Sequence, residues 1–198
     1  FLVKEEKILM MAMESKETAD ITQAVKDIVL ECTFNKVDIS TMPMFDVEYI
    51  FLQIRAKSVG EVSKLKLLCP DDGKTYADLE LNLTEVKVQV GEDHTNKIEL
   101  DNGMGMIMTY PTIDSFRSSG IRDINASNML EVISGCIAQI YEKNGEKTYD
   151  PKDQTQKELT EFVEQLNTKQ FKQVQKFFET MPKLKHEITI KNPKTKKE

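Results

Sequence analysis

The chain is poor in the residues from which disulfide frameworks and many reactive sites are built. Its 198 residues include only three cysteines and two histidines. An odd and sparse set of cysteines excludes a disulfide framework and is typical of reduced thiols in a cytosolic protein. Two histidines leave few ways to assemble a serine or cysteine hydrolase site. The sequence therefore favours a binding or assembly protein over an enzyme.

Long apolar runs and phosphate-binding loops are also missing from the sequence. The longest apolar runs, such as YIFLQI, are too short to span a membrane. Neither G-x-x-x-x-G-K-[ST] nor G-x-G-x-x-G occurs, so no nucleotide cofactor is predicted. The chain starts at Phe1 rather than methionine, so we expect that an N-terminal piece is missing, and no signal peptide is visible.

What is present is the composition of a globular protein. Hydrophobic residues make up 39% and charged residues 30% of the chain. The length of 198 residues suits one domain or two small ones. The net charge of -6 argues against a general nucleic-acid binder, which needs a basic surface.

Hydrophobic periodicity divides the chain into four parts. Apolar positions at helical spacing predict three helices in residues 1–60, and the third, between Pro43 and Gly60, should bury Phe51 and Ile54. Residues 61–110 alternate apolar and polar positions and predict short antiparallel strands. Residues 111–182 return to helical spacing. Residues 183–198 form a basic tail, and we expect its last stretch, KNPKTKKE, to be frayed.

The C-terminal helical part carries the clearest individual signals. NMLEVISGCIAQIYEK predicts one continuous helix, Thr155-x-x-Glu158 predicts a capping box, and a last helix should run from about Lys169 to Met181. HEITI could add a final strand. The predicted fold is thus α+β, with helical N- and C-terminal parts around a small antiparallel β region, in one or two compact domains.

The stretch LLCPDDGKTY looks like half of a zinc ribbon. A structural zinc site needs four ligands, usually two close pairs, and position 72, where C-x-x-C would place the second cysteine, is Asp72. Asp71, Asp72 and Gly73 are instead residues that favour a tight turn. We interpret the stretch as a degenerate zinc-ribbon-like hairpin and predict neither a metal nor another cofactor.

The last predicted helix also predicts a docking surface. Phe177 lies off the apolar stripe of the helix, and consecutive helical positions are about 100° apart, so one face should remain exposed for a partner. The alternative, left open, is a helix surrounded on all sides by its own domain. The predicted partner-binding residues are Phe171, Phe177, Phe178, Met181, Lys176 and Lys183.

Five stretches together resemble one family: FLVKEEKILMMAMES, FDVEYIFLQIRAKSVGE, EDHTNKIEL, MGMIMTYPTI and QFKQVQKFFETMPKLKHEI. They are similar to the baseplate hub proteins of T-even-type contractile-tailed bacteriophages, also described as baseplate hub assembly chaperones. The resemblance implies a non-enzymatic role in building the baseplate hub in the host cytoplasm. It also implies partners among other hub or tail-assembly proteins, and a second copy of the chain is a further possible partner.

A second hypothesis comes from another class. The residues from Lys183 to the C-terminus carry six lysines and two glutamates. With the hairpin, they would suit a degenerate zinc-ribbon adaptor that binds nucleic acid through its lysine-rich end, and such binding should weaken steeply with salt.

Overall fold

The computed structural model describes residues 2–100, 103–113, 115, 128–144 and 147–197. Within these ranges the chain forms six α-helices, three small antiparallel sheets and two hydrophobic clusters. The mixture confirms the predicted α+β class, with helices at both ends and short strands between them.

Three helices form the N-terminal part, as predicted: α1 (Val3–Ser15), α2 (Thr18–Cys32) and α3 (Met44–Val59). Their cluster, the N-terminal core, has as buried members Val29, Ile39, Val47 and Ile113. Phe51 and Ile54 pack against this cluster but are only partly buried, so the expectation that both are buried is wrong. The apolar side chains of α3 surround most of the helix, so some of them face the core and others lie partly at the surface.

A two-stranded antiparallel hairpin follows, formed by β1 (Val62–Leu68) and β2 (Tyr76–Asn82). Leu65 faces Leu79 across the ladder, and Leu67 faces Ala77. The alternation that predicted these strands therefore places these four apolar residues on one face, as the two-residue period requires. We call residues 62–82 the hairpin arm, because within the described ranges this sheet consists of these two strands.

The largest sheet has four antiparallel strands and is covered by helices. The sheet order is β4 (Lys97–Glu99), β5 (Met104–Met108), β6 (Ile137–Glu142) and β7 (Thr148–Tyr149). The helices are α4 (Met129–Gly135), α5 (Gln156–Glu164) and α6 (Thr168–Thr180). They enclose the larger core, whose fully buried members include Leu100, Met106, Met108, Val163, Val174 and Phe177.

The single helix predicted for NMLEVISGCIAQIYEK is wrong. The helix ends at Gly135, and the chain continues as strand β6. Met108 pairs with Ile137 while Ile107 pairs with Gln139, so Ala138 is the extra residue of a β-bulge. The bulge brings Ile137 and Ile140 to the same buried side although they are three residues apart, a spacing that otherwise indicates a helix.

The capping box at the start of α5 is confirmed. The Glu158 backbone N–H donates to Thr155 Oγ1 at 3.3 Å, and the Glu158 carboxylate accepts from the Thr155 backbone N–H at 2.7 Å. The α6 helix starts with a second box between Asn167 and Gln170, and it ends before Pro182, as predicted. These caps satisfy N–H groups that lack partners in the first helical turn.

The last strand and the tail differ from expectation. Strand β8 covers Lys183–Lys185 and pairs with β3 (Lys87–Gln89), so the strand lies before HEITI rather than within it. Leu184 faces Val88 in this ladder. The tail is also not frayed, because Asn192 is buried and the Asn192 backbone N–H donates to the Lys197 carbonyl at 2.8 Å.

Candidate docking surfaces

The six predicted docking residues occupy three different environments. Phe177 is 2% exposed and belongs to the larger core, so the expectation that it offers exposed apolar surface is wrong. Phe171 and Phe178 pack, partly buried, against the same core, and Met181 is partly buried at the end of α6. Lys176 and Lys183 are exposed. Whether any of these residues contacts a partner stays a prediction.

Phe177 is held inside an aromatic cluster. Its ring stacks on Tyr110 with centroids 5.5 Å apart, lies 5.4 Å from the His94 ring and meets Phe178 edge-on at 5.0 Å. Tyr110 in turn meets Phe45 of α3 edge-on at 5.3 Å. Offset and edge-on pairs are the favoured aromatic arrangements. The cluster therefore joins the C-terminal helix to the first turn of α3.

His94 supplies the polar contacts of this cluster. Its Nδ1 lies 3.0 Å from Thr180 Oγ1, and its Nε2 lies 2.9 Å from the Tyr110 hydroxyl. Burial lowers the pKa of His94 and raises the pKa of Tyr110. Both shifts favour the neutral forms of the two side chains inside the cluster.

A shallow groove runs between α6 and the edge strand β4. It has a volume of about 270 Å³, and Lys176 and Phe177 both contribute to its wall. Opposite them lie Asp93, Lys97 and Glu99, the last paired with Lys143 at 3.0 Å. The groove thus carries charges of both signs around a small apolar floor. Such a lining suits a polar protein segment better than a nucleic acid, which needs a basic surface.

Hydrogen bonds to the Asp72 side chain stabilise the hairpin turn. The Asp72 carboxylate accepts hydrogen bonds from the backbone N–H groups of Lys74 and Thr75 at 3.0 and 2.9 Å and from Thr75 Oγ1 at 2.6 Å. These hydrogen bonds, led by those from Thr75, hold the pKa of Asp72 well below its usual range. Gly73 has φ 62°, a conformation that glycine adopts readily. Position 72 therefore closes the turn.

Cys69 lies beneath this turn and is 2% exposed. Burial, followed by the charges of Asp71 and Asp72, raises the pKa of its thiol. Metal binding requires the thiolate, so this environment disfavours it. Among the residues that the structure describes, no group of three or more histidine, cysteine, aspartate or glutamate side chains is placed to hold a metal ion. Folding without metal remains a prediction.

The C-terminal tail binds to the hairpin turn. Asn192 Nδ2 donates to Asp71 at 2.7 Å, and Thr195 Oγ1 donates to the other oxygen of the same carboxylate. The Asn192 side chain also accepts from the backbone N–H groups of Lys194 and Thr195 at 2.8 and 3.1 Å. The tail is therefore a folded loop, and part of the lysine-rich end lies against the acidic side chain of Asp71.

Comparison with known proteins decides the family. Over residues 1–198 the chain matches the family model described as T4 bacteriophage base plate protein. The chain belongs to this base plate family. No curated protein and no solved structure matches it significantly. The family is one of structural base plate proteins, and membership associates the chain with the base plate of the phage tail and with other base plate proteins. It gives no support to the nucleic-acid hypothesis. In the described parts of this family member, no helix is long and apolar enough to cross a membrane.

The outer face of the hairpin arm is one surface that this base plate protein presents. Val62, Leu68 and Tyr76 are 54%, 48% and 59% exposed, and Leu68 faces Tyr76 across the ladder. Between these apolar positions the ladder carries opposite charges, with Lys64 paired to Glu80 at 3.3 Å. An apolar pair beside charged residues is a common composition of a protein interface. The alternation predicted the hairpin but not which of its faces is exposed.

A second exposed apolar surface lies on α1. The helix buries Glu5 and Ala12 on the side that packs against α2. On the opposite side Val3, Met10 and Met11 are 81%, 58% and 60% exposed. The helical spacing predicted α1, but it did not indicate that Val3, Met10 and Met11 lie on an exposed side. The signal that it missed is the surplus of methionines, because one 13-residue helix cannot bury them all against a single neighbour.

Proposed function

We propose that the chain is a non-enzymatic protein of the base plate hub. It acts as a hub assembly factor or as a structural subunit, through contacts with other hub or tail-assembly proteins. Assembly would take place in the host cytoplasm. The observation that carries this proposal is the exposed Leu68–Tyr76 pair on the hairpin arm of a base plate family member.

The outer face of the hairpin arm is the proposed docking surface for a hub protein. Tyrosine is enriched at interface positions that dominate binding energy, because it combines a large apolar ring with a polar end. Tyr76 lies next to the ordered turn, whose backbone is held by Asp72. A preorganised turn lowers the entropy lost on binding. The arm thus offers an anchor on a rigid support.

The test is co-purification from phage-infected cells with a tagged chain. Leu68→Ser with Tyr76→Ser should abolish recovery of hub proteins, whereas Phe34→Ser, which removes an exposed apolar side chain elsewhere, should not. Circular dichroism and the melting temperature control for folding. Normal recovery of hub proteins by the double variant would refute docking through the arm. Recovery of nucleic acid without hub proteins would contradict the proposed function.

The groove between α6 and β4 is a second proposed contact. Lys176 is exposed at its wall and Lys183 is exposed just beyond the helix, so a partner with an acidic segment could bind there without moving the buried Phe177. Lys176→Glu with Lys183→Glu should then reduce recovery of a hub partner while leaving stability nearly unchanged. Lys172→Glu, another exposed charge reversal on α6, is the matched control.

Assembly factor and structural subunit differ in what remains in the finished particle. A subunit should be found by mass spectrometry in purified virions at a fixed ratio to other base plate proteins. An assembly factor should be recovered with hub intermediates from infected cells and be absent from virions. The experiment separates the two forms of the proposal.

A further inference from the structure

The exposed side of α1, which we call the outward face, consists of Val3, Lys7, Met10, Met11 and Glu14. Residues seven apart, such as Lys7 and Glu14, lie only about 20° apart around a helix, so both project from the same side. All five are exposed, and they lie opposite the buried Glu5 and Ala12. The outward face therefore has no cover within the described parts of the chain.

The charges of this face are arranged with an internal symmetry. Lys7 precedes the midpoint between Met10 and Met11 by the same number of residues as Glu14 follows it. At 1.5 Å per residue, each charge is about 5 Å along the axis from that midpoint. An antiparallel copy of α1 centred on the methionines would therefore place Lys7 of one chain level with Glu14 of the other, twice.

Two further observations favour such a partner. Neither Lys7 nor Glu14 has an ion-pair partner among the described residues. Glu14 also lies in the last turn of α1, which contains no basic residue, although the negative end of the helix dipole disfavours an acid there. A lysine and an antiparallel dipole supplied by a second helix would offset both. Methionine side chains at the centre adapt easily to a symmetric contact.

We propose that two copies of the chain associate through the outward face of α1 in an antiparallel, two-fold arrangement. The pairing is isologous, so each contact occurs twice. A 13-residue helix is about 20 Å long, and such a contact is smaller than a standard interface. The association is accordingly weak and depends on concentration. It does not rest on the proposed hub function.

The test is sedimentation velocity of the purified chain from about 5 µM to about 500 µM, a range suited to a small interface. The wild type should shift reversibly from monomer to dimer. Lys7→Glu alone and Glu14→Lys alone should each weaken dimerisation about tenfold or more, because each creates two like-charge contacts. The double variant Lys7→Glu with Glu14→Lys should recover most of the wild-type dimerisation. An equimolar mixture of the single variants should form a heterodimer.

Each of these measurements also has a result that would overturn the proposal. A wild type that is monomeric throughout the range, or single variants that dimerise normally, would rule out this face as the contact. Failure of both the double variant and the mixture to dimerise would rule out the antiparallel register. Circular dichroism of every variant verifies folding, and no hub protein is present, so the outcome is separate from the co-purification test.

Discussion

The adjacent residues Phe177 and Phe178 on α6 are both covered by the protein, although helix geometry led us to expect one of them to be exposed. Phe177 and Phe178 point in directions about 100° apart, so a single groove cannot hold both. The structure covers α6 from two sides instead: the larger core receives part of Phe178, while His94 and Tyr110 cover Phe177. His94 lies far away in sequence with no pattern around it. The sequence therefore predicted the helix, but it did not indicate that Phe177 is buried more deeply than Phe178 or which loop covers that face.

Replacing Phe177 tests this assignment. Phe177→Ala should lower the free energy of unfolding by about 3–5 kcal/mol, because the ring is lost from a packed aromatic cluster. The neighbouring Lys176→Ala, on an exposed side chain, should change it by less than about 0.5 kcal/mol. Urea unfolding measures both. A loss of less than about 1 kcal/mol in the free energy of unfolding of Phe177→Ala would show that this side chain is not part of the core.

His94 should make stability depend on pH in a defined window. Burial lowers its pKa in the folded protein, so the unfolded state binds the proton more readily. Stability should therefore decrease as pH falls below the unfolded value of about 6.5, until the folded pKa is passed. His94→Gln should remove that part of the dependence. Urea unfolding at several pH values compares the two proteins, and parallel pH profiles would contradict the assignment.

At the scale of secondary structure, local patterns predicted most elements that obey one period. The three N-terminal helices, the hairpin and the capping box of α5 are of this kind. The prediction for the segment of strand β6 was wrong, because the bulge at Ala138 lets the buried Ile137 and Ile140 have a helical spacing. The prediction of a frayed tail was wrong for another reason. Its order comes from Asp71, more than a hundred residues earlier, and no local pattern contains that contact.

The contact between the hairpin turn and the tail can be broken at one residue. Asp71→Ala removes the acceptor of Asn192 Nδ2 and Thr195 Oγ1 and should release the tail loop. Trypsin should then cleave at the lysines from Lys191 to Lys197 faster than in the wild type, since cleavage requires local unfolding. Asp78→Ala, an exposed aspartate on strand β2, is the control. Equal cleavage of both variants would show that Asp71 does not hold the tail.

At the scale of the whole molecule, specific contacts between described residues join the two hydrophobic clusters. Phe45 at the start of α3 meets Tyr110, and Tyr110 stacks on Phe177 of α6. The Met44 backbone N–H also donates to the Pro111 carbonyl at 2.9 Å. The proposed docking surface on the hairpin arm and the proposed dimer contact on α1 therefore belong to one connected scaffold. A partner bound at either surface would stabilise the scaffold as a unit.

This connection predicts that the chain unfolds in one cooperative transition. Urea curves followed by far-ultraviolet circular dichroism and by tyrosine fluorescence should coincide, since two-state unfolding makes different probes agree. Tyr110→Ala should lower the midpoint seen by both probes, because its ring contacts both Phe45 and Phe177. Thr109→Ala, at an exposed neighbouring position, is the control and should leave the midpoint nearly unchanged. Two separate transitions in the wild type would mean that the N-terminal core and the larger core fold independently, and the aromatic cluster would then be a contact between two domains.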